Sequence, residues 1–82
     1  NGVLLSIFSA SGQSCVAGSR LLLHESIHDE VLARVAEKAS KIRIGDPLDE
    51  NSQMGPLATR AQLDNIDSTV ADAKANGATL VH

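Results

Sequence analysis

Apolar residues crowd the first ten positions, with Val3, Leu4, Leu5, Ile7, Phe8 and Ala10 broken only by Ser6 and Ser9. Neither a period of 2 nor one of 3.6 stands out there, so the run fits a helix buried on most sides or an internal strand. Ser11-Gly12 follows as a stop with a glycine able to take a left-handed cap, which favours the buried helix. A second dense run, Leu21-Leu22-Leu23, predicts an internal strand over residues 19–24. From Ile27 the pattern turns helical: Ile27, Val31, Leu32, Val35, Ala39 and Ile42 make one apolar stripe. Ser26 is the expected N-cap, and Asp29 and Glu30 put negative charge at the helix's positive end. Glu30–Arg34 and Glu37–Lys41 are i,i+4 pairs for the wet face.

Gly45-Asp46-Pro47 ends that helix, and Gly55-Pro56 marks a second turn after a polar stretch. A loop of this length needs a role or a surface to lie on. Thr59-Arg60-Ala61-Gln62 has the form of a capping box. Leu63, Ile66, Val70 and Ala73 then form a stripe that Asn76-Gly77 stops, and residues 78–81 read as the start of a strand. The predicted order is helix, strand, helix, helix, strand, an α/β pattern with crossovers.

Composition narrows the class. Eighty-two residues make one small domain at most, with a core only marginally able to support itself. Phe8 is the sole aromatic, so such a core lacks the rings that usually anchor it. Beginning at Asn1 and closing on the apolar run 78–81, the chain reads as a piece of a larger protein. A net charge of −3 without a basic stripe argues against nucleic acid as a partner. The apolar runs are too short to cross a bilayer, and no signal peptide opens the chain. One cysteine forms no internal disulfide, which points to a reducing compartment and a soluble, cytoplasmic protein.

That cysteine is the principal chemical candidate. Cys15 stands between Gly12 and Gly18 in the small-residue run Ser11-Gly12-Gln13-Ser14-Cys15-Val16-Ala17-Gly18-Ser19-Arg20. Small neighbours leave a sulfur uncovered, and glycines bring backbone N–H groups close to a ligand. Thiolate chemistry needs both access and donors. Spacing alone also admits a small buried thiol packed as a hydrophobe. A competing pattern, His24-Glu25-Ser26-Ile27-His28, matches the H-E-x-x-H of zinc hydrolases, with Glu37 or Glu50 as a third ligand. That chemistry requires both histidines on one helix face, whereas here a strand end and a capped helix start divide the motif. No metal is expected.

The run from Gly12 to Arg20 closely resembles the active-site cysteine segment of the aldehyde dehydrogenase superfamily. The likeness continues through Ile27-His28-Asp29-Glu30, Ile44-Gly45-Asp46-Pro47-Leu48 and Met54-Gly55-Pro56-Leu57, covering essentially the whole chain. Members are several times longer. The resemblance therefore implies that residues 1–82 are an internal fragment of an α/β catalytic domain, without the dinucleotide-binding and oligomerisation regions. It implies oxidation of an aldehyde to a carboxylic acid with NAD or NADP. Cys15 is then the nucleophile, passing through a thiohemiacetal and a thioester, and its backbone N–H is one oxyanion donor. Ser9, Ser14 and Val16 are candidates for the substrate-pocket wall. Gly12 and Gln13 shape the loop, and Arg20 matches without an assigned role.

The family's general-base glutamate and oxyanion-hole asparagine lie upstream of such a cysteine, and Glu25 and Glu30 do not match their motif positions. The 82 residues alone are accordingly expected to be inactive. The full-length parent is expected to be a homo-oligomer acting on a small-molecule aldehyde. Two other readings stay open on sequence: a non-catalytic relative with the same fold, and the zinc hydrolase of His24 and His28.

Overall fold

The computed structural model describes Asn1–His82. Three helices carry the fold: α1 (Gly2–Phe8), α2 (His28–Ser40) and α3 (Arg60–Ala75), with single 3-10 turns at Ser9–Gly12 and Glu25–Ile27. None is long and apolar enough to cross a membrane.

The predicted α2 and α3 are present because their signals are local. Val31, Leu32, Val35 and Ala39 are half-buried along one stripe of α2, which packs against α1. Lys38 Nζ donates to Asn1 Oδ1 at 2.8 Å across that contact. Both expected ion pairs form, Arg34–Glu30 at 2.7 Å and Lys41–Glu37 at 2.6 Å. The hydrogen bond from Lys41, reinforced by its charge, holds the Glu37 carboxyl below the usual glutamate range.

At α3, Thr59 Oγ1 accepts from the Gln62 N–H at 3.1 Å, one half of the capping box. The C-terminus closes with Gly77 at φ +93°. Ala78 N–H donates to Ala73 O and Gly77 N–H to Lys74 O, the two bonds of a Schellman motif.

Other expectations are corrected. No β-strand forms, so the order helix, strand, helix, helix, strand is replaced by three helices. Residues 20–23 make no backbone hydrogen bond at all, and a strand exists only through a ladder to a neighbour. Residues 79–82 likewise donate none. The sole β-pairing is an isolated parallel bridge, Ile44 to Met54. The N-cap expected at Ser26 lies earlier: His24 Nδ1 accepts the Ser26 N–H at 3.1 Å and caps the 3-10 turn that leads into α2.

The first helix forms but is not buried, and no residue of the chain is. The accessible surface is 6658 Å², against about 4,700 Å² for a folded protein of this mass. The radius of gyration, 14.1 Å, exceeds the roughly 12 Å of a compact chain of this length. Leu63, Ile66 and Val70 of α3 lie open, and α3 packs on no other helix.

The polar stretch after α2 is an Ω-like loop closed at its own neck. Gly45 N–H donates to Met54 O at 3.0 Å and Gln53 N–H to Arg43 O at 2.7 Å. Asp46 Oδ1 and Asp49 Oδ1 accept from the N–H groups two residues on, at 2.9 Å each, turning the loop from within.

Candidate active site around Cys15

The segment between α1 and α2 is shaped by an unusual backbone. Ala10, Ser11 and Gly12 stand in sequence at φ +52°, +57° and +74°. Left-handed geometry costs an L-residue roughly 1–2 kcal/mol, so Ala10 and Ser11 hold it only because surrounding bonds impose it. The chain then reverses through a turn in which Ala17 N–H donates to Ser14 O at 3.1 Å. Cys15 and Val16 are the two central residues of that turn, and both are exposed.

Three ties fix the turn to the rest of the chain. Gly18 N–H donates to Ser6 O at 2.9 Å, anchoring the far side of the turn on α1. A Cβ at Gly18 would overlap Ser6 Oγ and crowd Ser6 Cβ at 3.2 Å, so any larger residue makes the serine side chain move. Ser11 Oγ donates to Gly55 O at 3.3 Å, and Gln13 Oε1 accepts from the Ala58 N–H at 3.4 Å. Ser6 and Ala58 were not singled out on sequence, whereas Gly55 stood in the Gly55-Pro56 turn and in the family-like stretch Met54-Gly55-Pro56-Leu57. Ser6 had one visible signal, a polar residue inside an apolar run; Ala58 had none.

Cys15 is a free thiol. Its backbone N–H donates to no acceptor in the chain, whereas the next N–H, of Val16, is taken by Ser14 Oγ at 3.3 Å. An exposed sulfur and an uncommitted donor thus share one residue. Ser14 and Val16 flank them directly.

Ser9 lies elsewhere. Its Oγ donates to Leu5 O at 2.6 Å, and it lines an apolar cleft of about 240 Å³ with Leu4, Leu5, Phe8, Ile42 and Met54. Cys15, Ser14 and Val16 do not line that cleft. The structure brings Ser14, Cys15 and Val16 together on one turn and leaves Ser9 apart from them. Arg20 borders a separate shallow recess with Ser6 and Gly18, behind the turn.

The two histidines of the H-E-x-x-H pattern do not share a helix. His24 precedes the 3-10 turn, with Nδ1 2.8 Å from Ser26 Oγ, and His28 opens α2 with Nδ1 3.0 Å from Asp29 Oδ1. No third acidic, cysteine or histidine side chain converges with them.

The Aldehyde dehydrogenase family profile matches residues 1–82 in full. Betaine aldehyde dehydrogenase of Brucella anthropi is 47% identical over 79 residues, 96% of this chain and 16% of that protein. The Brucella ovis enzyme of the same name is 46% identical over the same span. Among solved structures, HpcC of Thermus thermophilus superimposes with a TM-score of 0.95 at 39% identity, over 98% of this chain and 16% of that one. A Burkholderia cenocepacia protein assigned as an aldehyde dehydrogenase gives 0.91 at 51% identity, over 94% and 16%. The chain spans 16% of the length of each of these relatives, yet nearly all of it is matched. With a profile covering every residue and identities near one half, the chain belongs to the aldehyde dehydrogenase family.

Proposed function

We propose that Cys15 is the nucleophile of an NAD- or NADP-dependent aldehyde dehydrogenase. What supports this reading is the family match over every residue together with a free thiol whose own backbone N–H has no partner in the chain. The Cys15 thiolate adds to the aldehyde carbon, forming the C–S bond of a thiohemiacetal while the carbonyl electron pair moves to oxygen. That oxyanion needs a donor already aimed at it, and the Cys15 N–H supplies one without reorganisation. A bound nicotinamide supplies the hydride acceptor. With that acceptor bound by the rest of the protein, Cys15 would carry the acyl group as a thioester after hydride loss, and water would release the carboxylic acid and the free thiol. Ser14 and Val16 wall the approach to the sulfur; Ser9 is the weaker contributor, being turned into the apolar cleft.

Residues 1–82 contain no Gly-rich phosphate loop after a strand, so they build no cradle for a dinucleotide pyrophosphate. The chain's own share of the reaction is the sulfur and one oxyanion donor. The general base, the second donor and the cofactor site belong to the rest of the protein, and the isolated chain is inactive. In that larger α/β domain, residues 19–24 and 78–81 find the sheet neighbours they lack here. The oligomer seen widely in the family, and a reducing cytoplasm that keeps Cys15 a thiol, complete the reading.

The Brucella relatives make a small aldehyde bearing a quaternary ammonium group the first substrate to assay. Phe8 is the one aromatic present, so any cation-binding cage is built mostly by other residues. In the full-length protein, Cys15→Ala removes the attacking group. Aldehyde oxidation should fall to background while NAD(P)+ still quenches or enhances intrinsic fluorescence as in the parent. Near-normal turnover by the variant would refute the assignment.

A further inference from the structure

We propose that Ser11 and Gln13 are positioning residues, which with Gly55–Ala58 form a clasp that sets the direction of the Cys15 sulfur and N–H; this rests on the nucleophile reading above. Three consecutive residues of left-handed backbone immediately precede the cysteine turn, and two of them are not glycine. Such a path does not hold itself, because alanine and serine relax readily to the right-handed or extended regions. The local restoring bonds are those of the Ser9–Gly12 3-10 turn, together with Gln13 N–H to Ala10 O at 3.0 Å.

The other restraints come from 44 and 45 residues away: Ser11 Oγ on Gly55 O at 3.3 Å and Ala58 N–H on Gln13 Oε1 at 3.4 Å. One bond runs out from the strained segment and the other runs in. Their side chains alternate around Gly12, so together they oppose both rotation and withdrawal. Gly55–Ala58 is itself held at both ends. Met54 closes the neck of the Ω-like loop, and Thr59 caps α3. The clasp therefore ties the nucleophile turn to the neck of the Ω-like loop and to the start of α3. A reacting group displaced by about 1 Å can lose two orders of magnitude in rate, so a clasp of this kind acts on turnover and not only on stability.

The test uses the full-length protein with Gln13→Met, which keeps length but loses the acceptor, and Gln13→Glu, which keeps an oxygen there. Gln13→Met should lower kcat roughly tenfold, the order expected for a sub-ångström misplacement, with KM for NAD(P)+ unchanged. Hydrogen exchange of the Gln13, Ala17 and Gly18 amides should rise in the same variant. Gln13→Glu should restore both to within about threefold of the parent. The proposal is overturned if Gln13→Met leaves kcat at the parent value, even with a lowered melting temperature, or if Gln13→Glu is equally impaired. Retained activity in Cys15→Ala would remove the nucleophile reading instead. The exchange data then judge the clasp alone, and unchanged amides in Gln13→Met would remove it too.

Discussion

The cysteine turn and α3 are held in opposite ways. The turn takes its shape from outside: Ser6, Gly55 and Ala58 impose a path that its own residues disfavour. Helix α3 takes its shape from inside. Thr59 caps its start, Arg60 pairs with Asp64 at 3.2 Å, and a Schellman motif ends it, all within residues 59–78. Yet α3 packs on no other helix, and Cys15 sits on the more cross-linked segment. The order of the cysteine turn is imposed on it from distant residues, whereas α3 carries its own. Strain held by distant partners keeps a reactive group in one geometry, whereas a self-capped helix can be satisfied in any surroundings.

The largest expected stability effect breaks the outside-in half of this contrast. In the full-length protein, Gly18→Ala forces a methyl against Ser6 Oγ and should destabilise by about 1–3 kcal/mol, read from urea unfolding. Adding Ser6→Ala should recover most of that loss, since the remaining approach to the Ser6 Cβ is 3.2 Å. An additive double variant would show that the close contact is not the cause. The inside-out half is sharpened by Thr59→Ala, which removes the cap acceptor and should cost about 1 kcal/mol in the same experiment. Turnover should hold there, apart from what reaches Gln13 through Ala58.

The smallest effect belongs to Glu37. Its carboxyl is held below the usual glutamate range by Lys41, so its contribution is complete above that range and fades as pH falls through the lowered folded value. Far-UV helicity of the parent should exceed that of Glu37→Gln at neutral pH and converge with it on acidification. A gap that persists at low pH would mean that the pair is not responsible.

This division also decides what was legible beforehand. Helix α3 could be read because its stripe, cap and stop all fall within twenty residues, and α2 from its stripe and i,i+4 pairs, although it ends at Ser40 and not at Gly45. The family could be read from Gly12–Arg20 and the spaced turns after it. Residues 19–24 form no strand here for a physical reason: an apolar run records burial, while a strand also needs a neighbour's N–H and C=O groups, and none pairs with it within these 82 residues. Ser26 misled as a cap because the imidazole of His24 does that work, an acceptor that serine-based capping rules leave out. Ser9, just past the end of α1, has its hydroxyl on Leu5 O and lines the cleft with Phe8, a placement that no local pattern in the sequence announces. The Gln13–Ala58 bond had no local signature at all, since 45 residues separate its ends.

The closed neck of the Ω-like loop has a practical side. The chain enters and leaves through Ile44 and Met54, so the loop's two ends are held together whatever its tip does. At its tip Leu48 is 93% exposed, and the surrounding bonds are to near neighbours. Added length at a closed, solvent-facing loop costs little conformational entropy. Within this chain, residues 48–51 are therefore a segment where added length would meet few of the chain's own contacts.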